Sequence, residues 1–242
     1  MSDRIVSLDR PGAFANTQVA IKTFISSMQH GMRYGAIIRA GARGFRRNAW
    51  VLVGFSVLYF IAISLVSLLA AKVDDGLLGA SPQLLLLIPY GLLLFLQVVL
   101  HLVGNIALIH GALMAARGQT FKFGQLFAVS GEIFNLLGYS VFAAMAILLG
   151  LLALGIPGIY LAVAYWFAAF FLVDRRVAFL EAMALSRALV TAQWFDLAAF
   201  LLVLGAISVS GVMACGVGLF ATVPLAVCIG ASAYLELTAA QG

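Results

Sequence analysis

The chain alternates long apolar stretches with short polar breaks. Asp, Glu, Lys and Arg are absent from four windows, residues 48–71, 76–116, 133–173 and 197–235. A hydrocarbon core of about 30 Å is crossed by about 20 helical residues. The first window therefore fits one crossing, and the others, roughly twice that length, each hold one long helix or a hairpin. The windows are apolar all round, whereas barrel strands alternate apolar and polar positions, so they predict α-helices with every backbone group satisfied inside its own segment.

The polar breaks set the number of crossings. Arg39, Arg43, Arg46 and Arg47 precede the first window, which predicts a cytoplasmic N-terminal side. Lys72, Asp74 and Asp75 carry net negative charge and suit the opposite side. Arg117 and Lys122 return the chain to the cytoplasm, so the second window holds an odd number of crossings, read as one long span. Pro82 and Pro89 fall near its start, where proline is tolerated. In the third window Gly155-Ile156-Pro157-Gly158 marks a turn, and Asp174-Arg175-Arg176 closes it on the cytoplasmic side. Cys215-Gly216-Val217-Gly218 divides the fourth. The expectation is an all-α, polytopic membrane protein with a cytoplasmic N-terminal segment (1–47) and a six-helix membrane domain (48–242). Its spans are read as 49–71, 84–110, 136–154, 159–173, 197–214 and 219–235, with both termini cytoplasmic.

Helical periodicity also marks the connections. Ile21, Ile25, Met28 and Met32 share one helical face, with Lys22 and Arg33 off it, and Arg39, Arg43 and Arg46 extend a basic stripe. Residues 121–133 repeat this more weakly. In 178–193, Phe179, Met183, Ser186 and Val190 share a side. Such helices lie on lipid or pack on the spans, and the pattern fits both. Three times an interfacial segment leads through an aromatic residue (Trp50, Phe134, Trp194) into a span, a turn and a second span. That is the pattern of three helical hairpins, either a repeat enclosing a site or a duplicated packing unit.

Composition agrees with the membrane reading: 64% of residues are hydrophobic, 10% are charged and the mean hydropathy is +1.12. Soluble domains carry about 25% charged residues. The polar segment ahead of the first apolar run is in the wrong order for a cleavable signal peptide. The net charge of +5 points to anionic lipid headgroups, with about 1 kcal/mol for each nearby Lys or Arg, rather than to nucleic acid. Arg39, Arg43, Arg46, Arg47, Arg175 and Arg176 are the candidate headgroup contacts. Cys215 and Cys228 fall in or beside spans and read as small apolar residues.

Intramembrane polar residues carry the candidate chemistry. Gln97, His101 and Asn105 are spaced i, i+4, i+8 along the second span, with His110 off that stripe. A stripe of this kind can form a substrate or proton path, ligate a cofactor through histidine, or fix helix packing by hydrogen bonds of about 1 kcal/mol. No second histidine partner is evident for a haem, His30 lying in the N-terminal segment, and no metal or cofactor is expected. Small residues at four-residue spacing (Ala164 and Ala168, Ala206 and Ser210, Gly211 and Cys215, Ala226 and Gly230) favour close helix contacts. No phosphate-binding loop, nucleophile elbow or zinc-binding motif occurs, and Glu132 and Asp196 read as interfacial carboxylates, so no enzyme is expected.

The stretch 117–237 resembles a bacterial family of six-helix inner-membrane proteins, the YciC-like proteins and the membrane domain attached to some glycerophosphodiester phosphodiesterases. The likeness rests on Gly155-Ile156-Pro157-Gly158-Ile159-Tyr160 opening a span and on Tyr165 and Trp166 along it. It continues through Glu181-Ala182 followed by Ser186, then Thr191 and Trp194, and ends on Pro224 and Tyr234. Ala192 stands where the family usually has Gly, and Asp174 where it often has Glu. The resemblance implies a six-helix fold in a bacterial inner membrane; no phosphodiesterase domain is present, so that activity does not carry over. Two functional expectations follow. One is a non-enzymatic protein that organises lipid or assembles with another membrane complex or with itself. The other is a transporter or lipid-handling protein using the Gln97–His101–Asn105 stripe.

Overall fold

The computed structural model describes residues 34–77, 86–128, 131, 133–213 and 216–239. The face carrying Ile21, Ile25, Met28 and Met32, with Lys22 and Arg33, lies outside the described residues, as do His30, Pro82, Glu132 and Cys215. A first helix, α1 (Tyr34–Arg47), leads into α2 (Ala49–Leu77) and α3 (Leu87–Ala116). A short 3-10 turn (Phe123–Phe127) precedes α4 (Ile133–Leu154), α5 (Ile156–Ala164) and α6 (Ala168–Arg175). The chain ends in α7 (Phe179–Thr191), α8 (Trp194–Met213) and α9 (Leu219–Ala239). Among the described residues six elements are long and apolar enough to cross a membrane: α2, α3, α4, α5 with α6, α8 and α9. The protein is thus an all-helical, multi-pass membrane protein with six spans.

Consecutive spans pack as hairpins: α2 with α3, α4 with α5, and α8 with α9. Among their apolar stretches, 56% of the fourth span and 50% of the sixth are buried, against 17–22% of the other four. The core therefore lies around α9 and α5–α6, and the remaining spans present Leu, Ile and Phe outward to lipid. Trp50 and Phe134, 93% and 84% exposed, stand at span entrances as expected of interfacial aromatics. At the third entrance the exposed ring is Phe195, because Trp194 stacks on Tyr160 at a centroid distance of 6.2 Å.

Several expected boundaries move. Lys72, Asp74 and Asp75 do not break the first span, which stays helical to Leu77. Charged side chains at a span end can reach water along their stems while the backbone keeps its intrahelical bonds. The second span starts near Leu87 and runs to Ala116, with Pro89 in its first turn. The third, fifth and sixth cover Ile133–Leu154, Trp194–Met213 and Leu219–Ala239. The weak 121–133 periodicity yields only the 3-10 turn, consistent with the glycines at 124 and 131. The predicted turn at 155–158 contracts to one residue: Gly155 takes φ 74°, and Ile156 already begins α5 with Pro157 in its first turn.

The fourth span is not continuous. It stops at Ala164 and resumes at Ala168, leaving carbonyls that lipid cannot satisfy. Ser186 on α7 donates to the Ala164 carbonyl at 2.7 Å, and Tyr139 on α4 adds a second donor at 3.0 Å to the Tyr165 carbonyl, which also accepts from the Ala168 N–H. This places α7 against the spans: Ala182, Met183, Ser186, Leu189 and Val190 are buried, and α7 packs on α4, α5 and α6. The first helix also packs on protein. Ile37, Gly41 and Gly44 are buried along its seam with α9 and α3, and a methyl at Gly41 would lie 2.5 Å from the Cα of Ile229. Arg39, Arg43, Arg46 and Arg47 are exposed on the other side. Because α1 precedes the first span and lies on the last, an even number of crossings separates them. The small-residue pairs divide: Ala164 and Ala168 are fully buried, whereas Ala206 and Ser210 are exposed.

Replacing Ser186 with Ala strands the Ala164 carbonyl in an apolar interior. The expected loss is about 1–2 kcal/mol of stability. Ser210→Ala on the exposed face should stay within about 0.5 kcal/mol, both read as unfolding in detergent.

Candidate functional site

Gln97, His101 and Asn105 do fall on one side of α3, but only two of them share a site. His101 lies 15 residues before the end of α3 at Ala116, about 22 Å along the helix and near its middle, level with the turn that precedes α9. Beside it, α2, α3 and α9 enclose a cavity of about 610 Å³ open to the surface. Its wall is largely apolar, including Phe55, Phe60, Leu108, Phe220 and Val223, with Ser56, Tyr59, His101 and Asn105 as its polar lining. A second cavity of about 310 Å³ shares His101, Asn105 and Leu108, adds Leu102 and Ile109 of α3, and is otherwise lined from α4, α6 and α9 and by Trp166, with Tyr139 and Ser140 as polar members. The His101–Asn105–Leu108 ridge therefore borders both. Gln97, one turn further along, donates to Ser67 at 3.3 Å and belongs to neither, so it ties α2 to α3.

The hydrogen bonds at the ridge leave defined valences. The Tyr59 hydroxyl lies 3.0 Å from Nδ1 of His101, which is its one partner among the described residues. A phenol is the stronger donor and an imidazole nitrogen the stronger acceptor, so Tyr59 donating to Nδ1 is the favoured direction. Neutral imidazole then carries its hydrogen on Nε2, and no described residue accepts from it. Asn105 donates through Nδ2 to the backbone carbonyl of His101 at 2.8 Å, and its Oδ1 has no donor among the described residues. Gly104 lets the Tyr59 ring sit directly on the helix backbone.

A second polar centre ties the spans at the end that carries most of the arginines. Asp174, at the end of α6, pairs with Arg117 at the end of α3 and accepts from the Tyr234 hydroxyl of α9 at 3.2 Å. His110 is half-buried, within electrostatic range of Arg117, Arg176 and Asp174, and belongs to this end rather than to the stripe. Arg175 lies 5.2 Å over the Phe171 ring, and Arg176 closes α6 at φ 52° with both guanidinium groups exposed. Nearby, Asn48 is only 4% exposed yet fully satisfied. It donates to the carbonyls of Gly44 and Gln119 and accepts from the N–H of Phe121. Tyr34 completes this end, donating to the Asp196 backbone carbonyl at 3.0 Å.

Sequence reasoning found His101 and Asn105 by their spacing but missed Tyr59, hidden in an aromatic run, and read Asp174 only as an interfacial charge. Its position as the lone carboxylate among arginines at a span end was the available signal. Among the described residues no group of three or more His, Cys, Asp or Glu converges, and Cys228 is a buried free thiol. Of the residues behind the YciC-like resemblance, Tyr160, Thr191 and Trp194 are packing ties: the Tyr160 and Thr191 hydroxyls lie 3.0 Å apart, and Trp194 donates to the Tyr160 carbonyl. No protein-family model, no curated protein and no solved structure matches the chain.

Two substitutions separate the centres. Asp174→Ala removes the acceptor of two donors and should cost about 2–4 kcal/mol. A double-mutant cycle with Arg117→Ala should return a coupling of about 1 kcal/mol, because the Arg117 side chain is 43% exposed. Gly104→Val should displace the Tyr59 ring and lower stability by about 1–3 kcal/mol, measured by thermal unfolding of the purified protein.

Proposed function

We propose that the protein is a non-enzymatic, multi-pass component of a bacterial inner membrane that binds a membrane lipid in the cavity beside α3. The observation that carries this reading is the cavity itself. At about 610 Å³ it falls in the range of small-molecule sites, about 300–1,000 Å³, and it joins an aromatic and aliphatic wall to a few polar groups. It also opens to the surface among apolar spans, which suits an occupant that arrives from the bilayer. The exposed Arg39, Arg43, Arg46 and Arg47 add a basic face at one end, suited to anionic headgroups. The excess of arginine there favours the cytoplasmic side for that end, and with it both α1 and the end of α9.

Native mass spectrometry of protein extracted with minimal detergent should find bound lipid. Val223→Trp, which fills the cavity, should reduce it by about tenfold. Stoichiometric recovery of a partner subunit with no bound lipid would assign the assembly role instead. For orientation, Cys215 and Cys228 are first replaced by Ala. A maleimide that cannot cross membranes should then label Lys72→Cys in intact cells and Arg43→Cys only after lysis. The reverse pattern overturns the topology.

A further inference from the structure

We infer that the cavity selects an uncharged amphiphile, one whose head offers carbonyl or hydroxyl oxygen and whose body is hydrocarbon. This rests on the lipid-binding reading and adds the head chemistry to it. Among the described residues no Asp, Glu, Lys or Arg lines either cavity, and the polar lining comes chiefly from Ser56, Tyr59, His101, Asn105, Tyr139 and Ser140. An anionic headgroup placed against this apolar wall would find no cation in the lining to offset its desolvation, a cost far above that of a neutral hydroxyl or carbonyl. Phosphate- and carboxylate-bearing lipids are disfavoured there on that ground.

The open valences match a neutral head in detail. With Tyr59 donating to Nδ1, the Nε2–H of His101 is a donor waiting for an oxygen acceptor. One helical turn on, the carboxamide of Asn105 retains an acceptor oxygen and a second N–H after its bond to the His101 carbonyl. A carbonyl oxygen uses the His101 donor, and a hydroxyl can use both residues. Phe55, Tyr59, Phe60 and Phe220 surround this pair on the α2 and α9 sides and suit a flat ring or a hydrocarbon chain. The smaller cavity across the ridge gives a second branch of the body room beside Trp166 and Phe170. Two common sources supply this chemistry: glycerides without a headgroup, and isoprenoid alcohols or quinones.

The test is photoaffinity labelling of the full chain in phosphatidylcholine nanodiscs. Three diazirine probes are compared: a diacylglycerol, an isoprenoid alcohol and phosphatidylglycerol. Labelled peptides are then mapped by mass spectrometry. The inference expects a neutral probe to label residues 101–108 and 217–223, competed by the same unlabelled lipid, with phosphatidylglycerol at background. Which neutral probe labels identifies the source. His101→Leu should reduce the labelling about five- to tenfold, the factor for one hydrogen bond to a neutral partner, while His101→Gln, which keeps an N–H donor, should hold it within about twofold. Equal cavity labelling by phosphatidylglycerol, or neutral labelling indifferent to His101→Leu, overturns the neutral-head inference and leaves lipid binding standing. Absence of cavity labelling by all three probes overturns the lipid reading and this inference together.

Discussion

A carboxylate at a span end that is largely shielded from solvent gains most from partners on other spans. Asp174 has two, taking Arg117 from the second span and Tyr234 from the sixth. The bilayer supplies no hydrophobic force between helices, which must be held by close packing and hydrogen bonds. Asp174 therefore joins three spans at one level, and the neighbouring ties follow that level. Asn48 fastens the start of α2 to the turn after α3, and Tyr34 fastens α1 to the start of α8. The seam of α1 lies against α9 and α3, where Gly41 and Gly44 allow backbone-to-backbone approach.

The broken fourth span obeys the same constraint by another route. A helix interrupted inside the membrane leaves carbonyls whose only acceptable partners are protein donors. Ser186 of α7 supplies one to the Ala164 carbonyl, and Tyr139 of α4 reinforces the Tyr165 carbonyl, which also accepts from the Ala168 N–H. The break thereby binds a short connecting helix into the core, and Phe167 and Ala168 beside it are fully buried. What reads in sequence as an interfacial amphipathic helix is a bracket across an interruption.

This explains which parts of the molecule the sequence discloses. Insertion depends on the length and polarity of a segment alone, so six spans could be read from charge-free windows, and Gly155 could be placed by its residue type. The α5–α6 interruption could not, because nothing local to residues 164–168 requires it and its donors lie at 139 and 186. The run past Lys72 was missed because charge near a span end does not oblige the helix to stop. At the site, periodicity placed Gln97, His101 and Asn105 on one face, since helical spacing is a local property. It could not divide them. Ser67 and Tyr59, on the adjacent span, decide that Gln97 is a tie and that His101 presents its far nitrogen to a cavity.

The cavity itself follows from where the ties end. All buried residues of α3 lie from Leu102 to Ala115, and none lies between Leu87 and His101. The dense half is the one reached by Asp174, Asn48 and the α1 seam; beyond it α3 keeps α2 as a close neighbour through Gln97 and Ser67. At the boundary Tyr59 rests on Gly104 and the helices stop filling the space between them. Two residues with unused hydrogen-bonding atoms, His101 and Asn105, stand at that boundary. In a hydrocarbon environment a polar atom left without a partner costs about 1–3 kcal/mol. A bound oxygen-bearing lipid would remove that cost for both residues at once, whereas Leu at both positions would pass it to the Tyr59 hydroxyl, which has His101 as its one partner among the described residues. The polar pair at this depth therefore makes physical sense as one half of a hydrogen-bonded complex.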